Sequence, residues 1–319
     1  MRIRRTVLKD RTRNQYFHVV SRVVDRRLIF GEDEKARFYS LLRRFEGFSG
    51  VEVLSYCLMG NHFHLLLHVP PRPDNIPVDE VRRRMQYIYS SKKIAEFERI
   101  IEDRMESGDT TYETRFYDEM RQRMYDLSSF VRDVKLRFSK WYNAVQERTG
   151  TLWEERFRCS LLEGNGNILM RVAAYIELNP IRAGLADQLD QYAWCSYSEA
   201  LQGGKQARSG ISHLVSPVGS QTDWNHSLKV YREFLTFVSH SQKHKKRGMT
   251  DNPEPNQKGN SGDGEAEKPQ RMSFLSTGVV WGTTGFVEDF VNSISDQLGI
   301  RARITALRRA ASENEISLE

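Results

Sequence analysis

The stretch Tyr56–Pro70, YCLMGNHFHLLLHVP, decides the fold, because two apolar, strand-like runs meet in it across a short polar break. That break is Gly60-Asn61, the kind of residue pair that tight β-hairpin turns favour. Side chains alternate across a strand, so His62 and His64 lie on the same face of the second run. The sequence therefore predicts a β-hairpin that carries two neighbouring imidazoles on one face.

The sequence on either side of the hairpin extends it into a longer pattern. A strand-like run at Tyr16–Val24 is followed by a helix pattern that should close at Gly50. Downstream come a helix pattern over 127–148, a strand or hairpin arm over 151–163, and a helix that Pro180 should end. The order is βαββαβ plus a helix, which is typical of an α+β domain with a ferredoxin-like antiparallel sheet.

The other regions of the chain predict additions to this domain. We expect one main domain over 1–200 that includes a charged helical insertion at about 77–130. A helical extension should follow over 201–242. Residues 243–272 contain almost no apolar side chain, so they predict a disordered linker. Apolar residues four apart then predict a small helical segment within 273–319.

Composition narrows the class of protein without choosing a function. The chain has 319 residues, of which 39% are hydrophobic and 28% are charged, as in ordinary globular proteins. No run approaches the roughly 20 apolar residues of a membrane span, and the first residues lack the apolar core of a signal peptide, so we expect a cytoplasmic protein without a membrane partner. The net charge is +6, with arginines crowded at the start, which fits either a nucleic-acid partner or a solvated surface.

The two hairpin histidines are candidates to bind a metal ion. Their Cα atoms should lie about 7 Å apart along the strand, so two imidazoles leaning inward can reach one ion. His68 shares the face but should lie about 13 Å from His64, too far to join that ion. A lone pair such as His62 and His64 more often fits two hydrogen-bonded histidines of a sheet, so the spacing alone does not establish a metal site.

The stretch resembles the HUH signature (histidine, hydrophobe, histidine) of single-strand DNA nucleases, and its form is most similar to that of the single-tyrosine transposases, in particular their REP-associated branch. The similarity continues in TGTLWEERFRCSLL (149–162), RVAAYIELNPIRAGL (171–185) and YAWCSYSEA (192–200). It covers roughly residues 12–200. The insertion and the last third of the chain lie outside it.

The resemblance implies a catalytic centre. Tyr175 occupies the place of the family's nucleophilic tyrosine, and a divalent ion, Mg²⁺ or Mn²⁺, would be held by His62, His64 and Asn179. Helix periodicity adds that Asn179, four residues after Tyr175, lies on the same helix face. The implied reaction cleaves and rejoins hairpin-forming single-stranded DNA through a 5′-phosphotyrosine.

The resemblance also implies partners and a location. The expected partner is single-stranded or hairpin DNA at the nucleoid of a bacterium, bound by a monomer or a homodimer, and the tail after residue 242 is a candidate site for a host protein. Arginines can hold the phosphates, and an aromatic ring can either stack on an unpaired base or belong to the core. The candidate DNA contacts are Arg4, Arg5, Arg11, Arg13, Arg156, Arg158, Arg182 and Trp153.

Three functions fit these observations. The first is an active transposase, the second is a domesticated, non-catalytic DNA-binding regulator on the same fold, and the third is a metal-dependent hydrolase that uses water. A regulator has no need of His62, His64, Tyr175 and Asn179 together, which favours the first function. A hydrolase needs a general base for water, and no Asp or Glu stands beside the histidine pair in the sequence.

Overall fold

The hairpin is present in the computed structural model, which describes residues 11–216, 223–247, 280–283, 285–287 and 289. Strand β2 (Glu52–Leu58) runs antiparallel to β3 (His62–Val69), and the turn between them contains Gly60 and Asn61. The Gly60 carbonyl accepts a hydrogen bond from the backbone of Phe30, which fixes the turn to the preceding segment. The tight turn thus places His62 at the first position of β3.

The remaining elements follow in chain order. Ahead of the hairpin lie β1 (Gln15–Arg22) and α1 (Glu32–Ser49). After it come α2 (Val78–Met85), α3 (Ser91–Glu106), α4 (Tyr112–Gln122), α5 (Leu127–Val145), β4 (Arg158–Leu162), α6 (Gly166–Glu177), α7 (Asn179–Arg182), α8 (Ser196–Leu201), α9 (Lys205–Val215), α10 (Trp224–Arg247) and β5 (Val280–Trp281).

The sheet has the strand order β2-β3-β1-β4-β5. The first four strands pair antiparallel with their neighbours, and α1 and α5 supply the two helical connections of the motif. This arrangement confirms the α+β, ferredoxin-like βαββαβ fold predicted from the sequence. The sequence did not predict β5, which pairs parallel with β4 at the edge of the sheet.

The two faces of the sheet are buried by different helices. On one face, α1 and α5 cover Phe63 and the alternate residues after it in β3, so that this side forms a continuous apolar core. On the other face, α6 and α9 pack against β2 and β3. Because side chains alternate along β3, His62, His64 and His68 all belong to this second face. The sheet therefore separates an apolar core from a layer that carries histidines.

Helix α9 approaches β2 closely because it has a glycine at the contact. A Cβ atom added to Gly210 would lie 2.6 Å from the carbonyl oxygen of Leu54 and 2.9 Å from its Cα. Real side chains do not pack so close to backbone, so only glycine lets the helix rest directly on the strand. Ile211 and Leu214, beside Gly210 on the helix, are buried in the same contact layer.

The region between the hairpin and α5 is helical, as its composition predicted. Helix α2 buries Val81 and Met85, and helices α3 and α4 bury Ile101, Tyr117 and Met120, in the same apolar core that α1 and α5 form. These helices therefore share a core with the βαββαβ motif. The domain boundaries given above stay a prediction. None of the described helices is both long and apolar enough to cross a membrane.

Helix ends differ from the predictions in two places, each for a local reason. Helix α5 ends at Val145, because the chain turns through positive φ angles at Glu147 (46°) and Gly150 (87°). Helix α6 ends at Glu177, before Pro180, which lies in the first turn of α7. Proline is tolerated there because the first turn of a helix does not use its backbone N–H groups. Pro180 thus continues the helical path in place of ending it.

Two strand and linker predictions also need correction. The strand over 151–163 is shorter than predicted, since β4 covers only Arg158–Leu162 and Trp153 forms an isolated bridge with Val23. Helix α10 continues to Arg247 and so extends into the predicted linker. Lys and Arg are good helix formers, and they prolong the helix beyond its apolar part. Residues 248–279, and most of the predicted segment 273–319, lie outside the described residues.

Candidate active site

The histidine pair lies at the hairpin end of β3, on the face that α6 covers. In the sheet, His64 is paired with Val20 of β1 and His62 with Arg22. The two imidazole ring centres are 5.0 Å apart, and the rings are inclined at 77°. His64 is buried and His62 is partly exposed at the sheet end. One imidazole is thus open toward solvent and the other is enclosed.

Hydrogen bonds orient both rings of the pair. The Nδ1 atom of His62 donates to the side-chain oxygen of Asn61 at 2.7 Å, which leaves Nε2 as the nitrogen with a lone pair. The Nδ1 atom of His64 lies 3.1 Å from Nε2 of His18. Burial and the charge of Arg22 lower the pKa of His62 to about 4, and burial lowers the pKa of His64 well below its usual range. Both imidazoles are therefore neutral at pH 7.

His18 is a residue of the site that the sequence analysis missed. It lies on β1, its ring is stacked on that of His64 with centres 5.3 Å apart, and it is buried. Alternation within β1 already placed the His18 side chain on one face, but it did not reveal that β1 would be the neighbour of β3. With β1 and β3 adjacent, three imidazoles share one face of the sheet.

Tyr175 reaches the histidines from α6. Asn165 caps the start of this helix by accepting a hydrogen bond from the backbone of Asn167, and the helix then lies across β2 and β3. The Tyr175 ring meets His64 edge to face with centres 5.7 Å apart, and it meets His18 in the same way at 5.9 Å. The tyrosine that the resemblance singled out is therefore beside the histidine pair.

Two arginines give the site a positive potential. The guanidinium carbon of Arg182, in α7, lies 4.6 Å from the centre of the Tyr175 ring, a cation–π contact. Burial raises the pKa of Tyr175, while the charges of Arg182 and Arg22 act in the opposite direction. Arg182 was a predicted DNA contact and Arg22 was not. Together they create a positively charged surrounding for the Tyr175 hydroxyl.

Asn179 lies at the junction of α6 and α7, one turn after Tyr175 as predicted. Its Nδ2 atom donates to the backbone carbonyls of Tyr175 at 2.9 Å and of Ile176 at 3.3 Å. The amide nitrogen thus caps the end of α6, and the amide oxygen is the atom that would bind a metal ion. The role of Asn179 as the third metal ligand stays a prediction.

The donor set fits a divalent ion held by His62 and His64. Two imidazoles that bind one ion through bonds of about 2.1 Å have ring centres roughly 5 Å apart, which matches the observed 5.0 Å. Both rings are neutral, as metal ligands must be. Each ring also directs Nδ1 at a neighbouring side chain, the arrangement that orients ligating histidines through their second nitrogen. A nitrogen-rich set of this kind suits Mn²⁺ better than Mg²⁺.

A comparison with protein families agrees with the resemblance. Residues 11–123 match the model of a family described as "Transposase IS200 like". The resemblance to the IS200-like transposases is confirmed. The matched segment contains His18, His62 and His64, whereas Tyr175 lies beyond its end.

The structure is also similar to a solved one described as a REP-associated tyrosine transposase bound to a REP hairpin, at 14% sequence identity and a TM-score of 0.41. That similarity covers 70% of this chain and 94% of the other. No curated protein matches the chain.

The predicted arginine contacts to DNA lie in several places. Arg4 and Arg5 are outside the described residues. Arg11 and Arg13 are exposed and line a small cavity beside the start of α5, where Arg11 pairs with Asp126 at 3.4 Å. These two arginines remain candidates for phosphate contacts some distance along the sheet from the histidine pair.

The segment before β4 carries the other predicted DNA contacts. Arg156 and Arg158 are exposed, and Nε of Arg158 donates to Glu155 at 2.8 Å. Trp153 is only 9% exposed and packs among core phenylalanines, and its Nε1 donates to Ser139 at 2.8 Å. Of the two alternatives that the sequence left open for Trp153, base stacking or core packing, the structure has core packing. The ring is enclosed by protein, so we leave Trp153 out of the DNA surface.

Proposed function

We propose that this protein cleaves and rejoins single-stranded, hairpin-forming DNA, with Tyr175 as the nucleophile and a divalent ion bound by His62, His64 and Asn179. The observation that carries the proposal is the contact between the Tyr175 and His64 rings, with centres 5.7 Å apart. The proposed nucleophile and the two proposed histidine ligands are more than a hundred residues apart in sequence, and their side chains lie at the same end of the sheet. The match of residues 11–123 to the IS200-like transposases supports the proposed class of reaction.

The reaction that fits these groups is transfer of a phosphodiester to the tyrosine. The Tyr175 hydroxyl oxygen attacks the scissile phosphorus, and the bond from phosphorus to the 3′ oxygen breaks. The phenol loses its proton as the new bond forms, and the departing 3′ oxygen takes up a proton. The DNA is then held as a 5′-phosphotyrosine beside a free 3′-hydroxyl. Attack of a second 3′-hydroxyl on the phosphotyrosine reverses these bond changes and joins two strands without a nucleotide cofactor.

A neutral tyrosine is a poor nucleophile, and the charges around Tyr175 favour its reactive phenolate form. A phenol with a normal pKa near 10 is mostly neutral at pH 7, and burial raises the pKa of Tyr175 further. The charges of Arg182 and Arg22 favour the phenolate, and they also attract the phosphate that must approach it. When bound, the divalent ion supplies Lewis-acid neutralisation of the non-bridging phosphate oxygens.

His18 is a positioning residue in this proposal. His64 would hold the ion through Nε2, and its Nδ1 would then carry the proton and donate it to Nε2 of His18, which lies 3.1 Å away. This hydrogen bond selects the tautomer of His64 that binds metal and fixes the ring. His18 also contacts the edge of Tyr175, so it packs against both the proposed ligand and the proposed nucleophile.

The test is the covalent adduct. The purified protein is mixed with labelled single strands from the DNA that flanks its own gene, with Mn²⁺ or Mg²⁺, and run on a denaturing gel. We expect an adduct with the wild type and none with Tyr175→Phe. The matched control is Tyr87→Phe, since Tyr87 is an exposed tyrosine in the turn after α2. This control is expected to form the adduct at the wild-type level.

The outcomes separate the functions that the sequence left open. An adduct that persists in Tyr175→Phe assigns the nucleophile to another residue and contradicts the proposal. Strand cleavage without any adduct points to water as the nucleophile. DNA binding that is the same in wild type and Tyr175→Phe, with neither cleavage nor adduct under any ion, identifies a non-catalytic regulator.

A further inference from the structure

A second polar cluster lies on the same face of the sheet, at the opposite end of β3. It consists of Glu52 on β2, His68 on β3 and His213 on α9. Each of these residues offers one ligand atom, and the three atoms lie within 4.8 Å of one another. Buried Leu66 stands between His64 and His68 on this face, and the two histidines are about 13 Å apart by strand rise. The cluster is therefore separate from the proposed active site.

The sheet register brings two of the three residues together. Glu52 and His68 are directly paired across β2 and β3, and Tyr16 of β1 is paired with His68 on the other side. The Nδ1 atom of His68 lies 2.8 Å from a carboxylate oxygen of Glu52. The Tyr16 ring stacks on His68 with centres 4.8 Å apart. A carboxylate, an imidazole and a phenol thus form a row across three strands.

Helix α9 supplies the third member. Because Gly210 rests directly on Leu54, the helix lies close to the sheet, and His213, one turn later, reaches down to it. The Nε2 atom of His213 is 3.0 Å from the Tyr16 hydroxyl, and its ring centre is 4.8 Å from that of His68. Tyr16 therefore holds His68 by stacking and His213 by a hydrogen bond.

We propose that Glu52, His68 and His213 form a second metal site, suited to a transition-metal dication such as Zn²⁺. Two imidazoles and one carboxylate are a set of three protein ligands that Zn²⁺ commonly takes, with a fourth position left for water. The exposure of Glu52 gives an ion a path from solvent, while His68 is buried behind it.

Both ring nitrogens of His68 face a side-chain oxygen. One ring nitrogen faces the Glu52 carboxylate, and the other lies 2.8 Å from the side-chain oxygen of Asn14. Both partners are acceptors, so a neutral imidazole, which carries one proton, satisfies only one of them. A metal ion between His68 and Glu52 would be bound by one ring nitrogen and by the carboxylate, and the bond to Asn14 would orient the ring.

The third ligand distinguishes a metal site from a simple ion pair. His213 adds a second imidazole, and its ligand atom lies within 4.8 Å of those of Glu52 and His68. A proton shared by Glu52 and His68 needs no third group, whereas a metal ion gains a ligand from His213. Bound metal would join α9 to β2 and β3, and would stabilise the fold in proportion to its occupancy.

The test is zinc binding in a background that removes the first site. All samples carry His62→Gln, and Zn²⁺ alone is titrated into the full chain by calorimetry, without DNA. We expect the background variant to bind one Zn²⁺, and further substitution of His213→Gln to abolish this binding. The matched control is His226→Gln, since His226 is an exposed histidine of α10. It is expected to leave the zinc binding unchanged.

A second variant keeps the test decisive if His213→Gln disturbs the packing of α9. Glu52→Gln removes only the negative charge of a side chain at the sheet edge, and it is also expected to abolish zinc binding. With Co²⁺ as the probe, the visible absorption of a tetrahedral complex should be lost in the same two variants. Absence of zinc binding in the background variant, or binding that survives both substitutions, overturns the proposal. Neither outcome bears on the covalent adduct with DNA.

Discussion

The two ends of strand β3 have the same residue type on the same face and differ in what surrounds it. At the hairpin end, His64 is enclosed by His18, Tyr175 and the Arg182 side chain above the tyrosine, so that its surroundings are neutral or positive. At the far end, His68 contacts the carboxylate of Glu52. A positive surrounding attracts phosphate, and a negative one attracts only a cation.

This difference teaches that the position of a histidine on a sheet does not fix its chemistry. Both imidazoles lie on one strand, both are buried, and both face helices that follow the hairpin in the chain. The neighbouring strands supply the contrast, since β1 provides His18 at one end and β2 provides Glu52 at the other. The comparison can be tested by changing matched residues at the two ends.

The largest expected effect is a loss of activity, and we expect it at the hairpin end of β3 and not at the far end. His64→Ala should reduce formation of the DNA adduct by roughly 10³-fold, about 4 kcal/mol, because it removes a proposed ligand of the ion that neutralises the phosphate. His68→Ala removes an equally buried histidine of the same strand and should change adduct formation by less than about twofold. The measurement is the initial rate of adduct formation, with folding of both variants checked by circular dichroism. Equal losses of this rate in the two variants would contradict the proposal that the active site lies at the hairpin end alone.

A smaller effect is expected from the residues that orient each histidine. His18→Ala should weaken Mn²⁺ binding at His62 and His64 by about 10- to 100-fold, since it removes the acceptor for His64 Nδ1. Asn14→Ala removes the corresponding partner of His68 and should leave Mn²⁺ binding at the hairpin end unchanged.

Mn²⁺ binding is followed by electron paramagnetic resonance of the free ion. An equal effect of the two substitutions would mean that the His18 contact does not act specifically on His64. Zn²⁺ binding at the far end should show the reverse: Asn14→Ala should weaken it, and His18→Ala should leave it unchanged.

A third test concerns the helix that completes the far end. Gly210→Ala places a Cβ atom against the backbone of Leu54, so α9 must move away from β2. We expect a loss of about 1–3 kcal/mol in the free energy of unfolding, measured by urea denaturation. Gly285→Ala is the matched control, because Gly285 is also helical and a Cβ atom there meets nothing within 4 Å. A control variant that loses as much stability would rule out the close contact as the cause.

The smallest effect is a pH dependence at the hairpin end. The pKa of His62 is lowered to about 4 in the folded chain from about 6.5 when unfolded, so the unfolded state binds more protons between these values. Its contribution to stability is therefore present above pH 6.5 and is lost as the pH falls toward 4. Because His62 is partly exposed, we expect only about 1 kcal/mol.

The pH effect can be assigned to one residue by substitution. His62→Gln should lose less stability than the wild type between pH 6.5 and 4, as measured by urea unfolding at several pH values. An identical pH profile in this variant would assign the dependence to other groups.

Much of the fold could be predicted because its signals are local. Gly60-Asn61 marks the hairpin, and the alternation of β3 is enough to place His62 and His64 on one face. The apolar spacing of α1 and α5 is equally local. Pro180 was a misleading signal, since a proline ends one helix and begins another with equal ease, and only the backbone path distinguishes the two cases.

The site was only partly predictable because it depends on which elements become neighbours. Tyr175 was singled out by resemblance, since its spacing from His64 in sequence carries no information on their distance. His18 and His213 were missed for the same reason. The contacts of His18 require the pairing of β1 with β3, and those of His213 require the close approach of α9 to β2 at Gly210. Both arise only when the elements pack together. Trp153 illustrates the converse, because an aromatic residue in a basic segment proved to be part of the core.

The short strand β5 has a consequence for solubility. Val280 and Trp281 lie beside Leu161 and Leu162 of β4, and the backbone of Glu163 donates to the Trp281 carbonyl. This pairing covers the last two residues of β4, whose backbone groups would otherwise lie at an open strand edge, which is a surface to which another chain can add a strand. We therefore expect a chain shortened before Val280 to self-associate more readily than the full chain, as measured by light scattering.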